Sequence, residues 1–268
     1  MQKNSVMRAH GRAYNQLRPV TLSHNVYGYA PGSVLLTMGD TKILCSVHMQ
    51  NGVPPFLKGT KSGWLTAEYG MLPAATQQRT QREATTVKYN GRTVEIARFI
   101  GRSLRTIVDL NKIGERTIMI DCDVLQADGS TRTASITAAN YALLAAQEQW
   151  LNQGIIQEPI LREQIAAVSV GLQTGTAILD LDYKEDSAID ADFNVVLTES
   201  GNIVEMQGTA EKQPVSWPQF EAITSLAIYG VQQLFERCAT LHEKQKSTHD
   251  KQQLLAHYKP AFFSLQNR

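Results

Sequence analysis

A strand that ends in a Gly/Ser/Thr turn and continues as a helix constrains this chain more than any other stretch. Ile118, Ile120, Cys122 and Val124 alternate with Met119, Asp121 and Asp123, the period of a strand with one buried face. The turn Ala127-Asp128-Gly129-Ser130-Thr131-Arg132 follows. Small residues then recur at Ala134, Ser135, Ala138, Ala139, Ala142, Ala145 and Ala146, predicting a helix over about 131–152 that packs closely on a sheet and stops near Gly154. A strand delivering such a turn to a helix start builds an anion site: unpaired N–H groups point outward, and the helix dipole adds partial positive charge. Arg132 adds a planar, permanently charged fork suited to phosphate.

The rest of the chain sets bounds on what surrounds that unit. Its 268 residues suffice for one large domain or two smaller ones with real cores, and 43% apolar with 19% charged residues excludes a disordered chain. No apolar run could span a bilayer, and the start lacks an apolar leader, which predicts a cytoplasmic protein without a membrane partner. Cys45, Cys122 and Cys238 are odd in number and far apart, so reduced thiols are expected rather than a disulfide framework or zinc cluster. A net charge of +1 argues against a generic nucleic-acid coat, but the charge is unevenly spread. Between Arg79 and Arg105, Arg79, Arg82, Lys88, Arg92, Arg98, Arg102 and Arg105 outweigh Glu83 and Glu95, a balance of +5. Between Asp180 and Asp192, Asp180, Asp182, Glu185, Asp186, Asp190 and Asp192 outweigh Lys184, a balance of −5. The first segment suits a polyanion and the second a divalent metal.

Residues 20–50 read as strands, with a hairpin turn at Gly39-Asp40. Residues 51–91 form a long irregular stretch, and residues 92–110 a helix with the stripe Ile96, Ile100, Leu104, Ile107 and Val108. On that helix Arg98, Arg102 and Arg105 are expected to pair with Glu95 and Asp109. The second half has four strands, around Val168, Ala177, Phe193 and Ile203, with turns at Thr174-Gly175 and Ser200-Gly201, then a helix over about 218–238. Both halves thus read as strands followed by a helix, an α+β chain built from two related units. Three segments result: an N-terminal core domain over 7–152, a C-terminal domain over 165–240, and an extension over 241–268.

Several motifs together are identified with one family. Gly63-Trp64 with Thr66-Ala-Glu-Tyr-Gly-Met-Leu-Pro73, Gly91-Arg92 with Glu95-Ile96 and Ile100-Gly-Arg, and Asp121 through Gly129 with Thr131-Arg-Thr-Ala occur in the first half. Asp182-Tyr with Glu185-Asp-Ser, Asp192 with Asn194-Val-Val, and Val204 through Glu211 occur in the second. Over about residues 7–240 the chain resembles ribonuclease PH, the phosphate-dependent exoribonucleases that trim tRNA 3′ ends. The resemblance implies duplicated βαβ units like domain 2 of ribosomal protein S5, and a homohexamer built as a trimer of dimers. It also implies tRNA 3′ ends and other structured RNA as partners, release of nucleoside diphosphates, inorganic phosphate as co-substrate, and Mg²⁺ (or Mn²⁺) as metal. Residue by residue, it places phosphate on Arg92, Ser130, Thr131 and Arg132, the metal and catalysis on Asp186 and Asp192, and RNA on Arg79 and Arg82. Ser130 stands where the family has glycine, and Ala74 where some members have a third loop arginine. At Ser130, the backbone N–H and hydroxyl both count as candidate phosphate donors, and a requirement for positive φ would strain the turn.

Each of these residues has a plainer reading. Arg92 alone could be a solvated residue, Ser130 and Thr131 helix caps, and Asp186 and Asp192 turn acids. Asp180 and Asp182 read as structural or exposed, and His10, His24 and His48 as non-catalytic. A non-catalytic, RNA-binding ring subunit of an exosome-like assembly is the main alternative; loss of the phosphate arginines or the aspartate pair would mark it, and both are present. Polynucleotide phosphorylase would need two such cores, whereas this length fits one.

Overall fold

The computed structural model describes residue 8, residues 11–83 and residues 90–257, with side chains through residue 243. His10 and Lys88 lie outside the described residues. Two sheets and four helices make up an α+β architecture, as expected. The first sheet contains β1 (Val20–His24), β2 (Gly32–Met38), β3 (Thr41–Asn51), β4 (Trp64–Met71) and β5 (Arg116–Gln126), in the order β1-β2-β3-β5-β4. Gly39 and Asp40 make the expected hairpin turn, with Met38 paired to Thr41 and Gly39 at φ +58°. β4 and β5 run parallel, joined by α1 (Gly91–Ile107), so a helical crossover separates them as parallel pairing requires.

The second sheet contains β6 (Ile165–Gln173), β7 (Thr176–Leu179), β8 (Ala191–Thr198) and β9 (Ile203–Ala210), all antiparallel, in the order β7-β6-β8-β9. The short α3 (Tyr183–Ala188) sits between β7 and β8. The final helix, α4 (Trp217–His257), runs well past the expected end near residue 238.

α2 (Thr131–Asn152) ties the halves together. It packs on β2 and β3 of one sheet and on β6 of the other, so its residues are buried around most of its circumference. Gly32 shows how closely it approaches: a Cβ there would lie 2.0 Å from the Ala142 carbonyl oxygen. The buried polar side chains of α2 meet backbone N–H groups. Asn140 Oδ1 accepts from Ile165, Thr137 Oγ1 from Ala167, and Gln147 Oε1 from Ile160 and Leu161. Burial without such partners would cost on the order of 1–3 kcal/mol per group. One hydrophobic core, from Leu22 and Val34 through Ile136 and Trp150 to Val195 and Leu234, runs through both sheets.

α4 also reaches back to β1. His242 Nδ1 lies 2.9 Å from His24 Nε2, and burial together with His242 pushes the His24 pKa down to about 4. Cys45 and Cys122 face each other across β3 and β5 as buried free thiols, their sulfurs 3.6 Å apart.

Candidate functional site

The strand–turn–helix predicted from sequence forms as β5, the 127–130 turn and α2. Gly129 at φ +75° and Ser130 at φ +56° give the turn two successive left-handed residues. For serine that conformation costs roughly 1 kcal/mol more than for glycine. The strained alternative for Ser130 is therefore the one realised. Its side chain does not cap α2. Nor does its hydroxyl have a proton for a phosphate: Ser130 Oγ donates to the Leu181 carbonyl at 2.8 Å and lies 2.6 Å from Ser169 Oγ. What Ser130 retains for an anion is its backbone N–H, beside the first N–H groups of α2, which have no acceptor within the helix.

Thr131 is better placed to donate from its side chain. Tyr69 on β4, buried, donates its hydroxyl to Thr131 Oγ1 at 3.0 Å, which leaves the Thr131 proton for another acceptor. Burial pushes the Tyr69 pKa up, keeping it a donor at neutral pH. Arg132 is held between two elements. Its Nη1 donates to Gln207 Oε1 on β9 at 3.1 Å, and its Nη2 lies 3.5 Å from Glu95 on α1. Arg92 sits in the first turn of α1, where Asn90 Oδ1 accepts from its backbone N–H.

Asp186 on α3 and Asp192 on β8 converge on the same place. Burial raises the pKa of Asp186, while the charges of Arg92 and Arg132 pull it back and Glu211 pushes it up. Burial also raises the pKa of Asp192, with repulsion from Asp186 and Glu211 adding and Arg132 opposing. Arg92 and Arg132, far from the carboxylates in sequence, thus both act on Asp186, and Arg132 and Asp186 act on Asp192. Two partly desolvated, mutually repelling carboxylates suit a hard divalent cation. Among the described residues no group of three or more His, Cys, Asp or Glu is arranged to hold a metal. Two carboxylates completed by water and substrate oxygens is the habit of Mg²⁺ rather than of Ca²⁺ or Zn²⁺.

Other sequence expectations fare differently. Arg79 and Arg82 stand exposed on the segment between β4 and α1, outside the groups that most strongly bias Asp186 and Asp192. The arginine face of α1 does not pair within its own helix. Arg102 reaches Glu205 on β9 at 2.5 Å. Arg105 donates to the Leu65 carbonyl and lies over the Trp64 ring, 4.7 Å from its centroid. Glu95 turns to Arg132, and Asp109 to Arg162. The spacing allowed pairs within the helix; the neighbouring sheets supplied better-placed partners.

Three arginines that sequence reasoning did not single out hold the segment that runs from Asp180 into α3. Arg8 grips both oxygens of Glu185 at 2.8 Å each, and Arg12 adds a bond at 2.9 Å. Both also donate to the Asp180 carbonyl. Arg18 takes the Asp180 carboxylate with its Nη2 at 2.7 Å and its Nε at 3.1 Å, and it bonds the Asp128 carbonyl of the turn before α2. Glu185 and Asp182 form a capping box at the start of α3, one residue before Asp186. The signal was the unusual density of arginine before residue 20, but the carboxylates they hold, Asp180 and Glu185, lie more than 160 positions away.

Comparison with known proteins gives the family and the fold. Residues 16–148 match the model of the 3′ exoribonuclease family, domain 1 (RNase_PH), and residues 163–228 match its domain 2 (RNase_PH_C). The chain belongs to the ribonuclease PH family. Solved structures show the same fold at low identity. Rice (Oryza sativa) Rrp46 superposes with a TM-score of 0.71 at 21% identity, over 88% of this chain and 100% of that one. A subunit of the Archaeoglobus fulgidus exosome with RNA bound to the active site gives 0.73 at 23%, over 87% and 92%. A subunit of an archaeal exosome core gives 0.69 at 23%, over 85% and 89%. Among the described residues of this ribonuclease PH family chain, no helix is long and apolar enough to cross a membrane.

Proposed function

We propose that the chain is a phosphorolytic 3′-to-5′ exoribonuclease that trims the 3′ ends of tRNA precursors and releases nucleoside diphosphates, reversibly. The observation that carries this reading is the action of Arg92 and Arg132 on Asp186, and of Arg132 and Asp186 on Asp192, two partly desolvated carboxylates. Phosphorolysis must bring an attacking phosphate against a phosphodiester, so repulsion between two anions is the main obstacle. Positioning and electrostatic neutralisation can supply most of the catalysis.

In this reading Arg92, Arg132, the Thr131 hydroxyl and the N–H groups of Ser130 and the α2 start hold inorganic phosphate. Arg132 is steadied by Gln207 and Glu95, and the Thr131 hydroxyl is aimed by Tyr69. A phosphate oxygen attacks the phosphorus of the terminal diester. The bond to the penultimate ribose 3′-oxygen breaks, that oxygen takes up a proton, and the terminal nucleotide leaves as a diphosphate. Asp186 and Asp192 hold Mg²⁺ or Mn²⁺, which supplies neutralising charge at the transferring phosphoryl group when bound. Arg79 and Arg82 steer the RNA along its backbone. The RNA in the active site of the Archaeoglobus exosome structure supports RNA as substrate, and the exosome assemblies of these relatives support oligomerisation, for which this reading takes a homohexamer.

The test is incubation of a 3′-extended tRNA with the protein, with and without inorganic phosphate. Nucleoside diphosphates that appear only with phosphate are expected. Monophosphates without phosphate would indicate a hydrolase; RNA binding without any release would indicate the non-catalytic ring subunit.

A further inference from the structure

The turn before α2 and the segment that runs from Asp180 into α3 meet at a closed ring of hydrogen bonds. Leu181 N–H points at Ser169 Oγ at 3.0 Å, Ser169 Oγ lies 2.6 Å from Ser130 Oγ, and Ser130 Oγ lies 2.8 Å from the Leu181 carbonyl oxygen. The direction of every bond is forced. A carbonyl oxygen can only accept, so the Ser130 proton goes to Leu181. The Ser169 hydroxyl must then donate to Ser130 and accept from Leu181 N–H. Ser169 is buried, on β6, and reaches the proposed phosphate cradle only through the Ser130 hydroxyl, which has no proton left for an anion.

The ring closes on the residue before Asp182, the N-cap of α3. Asp186 is the next helical turn on, and its backbone N–H donates to the Asp182 carbonyl. Gly129 presses against the same segment: a Cβ there would lie 2.4 Å from the Leu181 carbonyl oxygen. Asp128 Oδ1 accepts from the Tyr183 N–H at 3.3 Å. The glycine-to-serine departure at position 130 therefore has a use besides phosphate contact. Its left-handed backbone turns the hydroxyl away from the anion and into the joint.

We propose that Ser169 and the hydroxyl of Ser130 are positioning residues. Through the Leu181 backbone they fix α3, and with it Asp186, at the distance from the turn before α2 that cation binding requires. This rests on the reading that Asp186 and Asp192 hold a divalent cation. Ring members cooperate because each hydroxyl polarises the next, and opening the ring at either serine frees the same backbone segment.

The test is direct Mn²⁺ binding, followed by electron paramagnetic resonance in the presence of inorganic phosphate, for the full chain and four variants. Ser130→Ala and Ser169→Ala should each weaken Mn²⁺ binding by about 3–10-fold, at or below the roughly 10-fold lower limit for losing an outer partner of a metal site, because they act through the backbone and not on a ligand. The Ser130→Ala/Ser169→Ala double variant should lose no more than either single one, since all three open one ring. Asp186→Asn should abolish binding at this site. Serine variants that bind Mn²⁺ within twofold of the original chain, or losses that multiply in the double variant, would overturn the positioning role alone. An original chain that binds no Mn²⁺, or binding that survives Asp186→Asn, would overturn the cation reading and this inference with it.

Discussion

The acidic run from Asp180 to Asp192 holds two kinds of carboxylate, and the environment separates them. Asp180 and Glu185 are buried, and burial alone would raise their pKa. Arg18 at Asp180 and Arg8 at Glu185 outweigh it and hold both below the ordinary carboxylate range. Asp186 is exposed at the surface and Asp192 half-buried, so both are only partly desolvated; no arginine grips them with a bidentate pair, and the pKa of each is raised. Asp186 follows Glu185 directly, so one step along α3 separates a carboxylate locked in a salt bridge from one left for chemistry. The lesson is that a cluster of acids is not a site. The members without a fixed cation partner are the ones able to take a mobile one.

The largest expected effect breaks the locked side. Asp180→Asn leaves Arg18 and Arg12 facing a neutral amide in a dry setting. Removing one partner of a buried pair costs on the order of 3–5 kcal/mol. Urea denaturation should show that loss; a change under about 1 kcal/mol would mean that the network contributes little. Next, Arg132→Ala should lower phosphate-dependent turnover by about 10²–10³-fold, the scale of losing one preorganised electrostatic contact. Steady-state assays against phosphate concentration check it, and near-normal turnover would remove Arg132 from the proposed cradle.

Asp192→Asn sharpens the contrast, because it should abolish cation-dependent turnover while stabilising the protein. A carboxylate whose folded pKa is raised adds stability only while protonated, and that contribution is lost as pH rises through the folded pKa. At neutral pH the charged form is therefore a cost. The variant should therefore melt at a higher temperature than the original chain when no divalent cation is present. The gap should close as pH falls through the raised pKa of Asp192, where the original carboxyl also becomes neutral. The locked carboxylates behave oppositely: their contribution is present at neutral pH and is lost as pH falls through their lowered values. A melting temperature of Asp192→Asn below that of the original chain at neutral pH would contradict the assignment. The smallest effect belongs to the exposed loop. Arg79→Ala with Arg82→Ala should weaken RNA binding and lower the slope of log affinity against log salt by about 1–2. Filter binding across a salt series measures it, and an unchanged slope would place those arginines away from the RNA.

Sequence patterning carried many local elements but missed β4, which lies inside the stretch 51–91 read as irregular and is paired parallel to β5. The alternation of Ile118, Ile120, Cys122 and Val124 became the buried face of β5, and the small-residue helix runs from Thr131 to Asn152. Those features are local, set by period and turn chemistry. What could not be read was pairing over distance. Arg102 chose Glu205, far off in sequence, over Glu95, two turns away on its own helix, because β9 brings the Glu205 carboxylate to 2.5 Å. Arg8, Arg12 and Arg18 read as ordinary charges near the start, yet they fix α3. The Ser130 substitution was visible in the sequence, but its left-handed φ and the turning of its hydroxyl toward Leu181 depend on the β6 and β7 backbone meeting the turn.

The central claim, that inorganic phosphate held at the turn before α2 is the attacking group, is tested most directly by isotope. The protein, Mg²⁺ and a 3′-extended tRNA are incubated with phosphate carrying ¹⁸O, and the released nucleotide is examined by mass spectrometry. The account predicts nucleoside diphosphates with the label on the β-phosphoryl group, and loss of that product in Arg132→Ala. Unlabelled nucleoside monophosphates, formed equally well without phosphate, would contradict it.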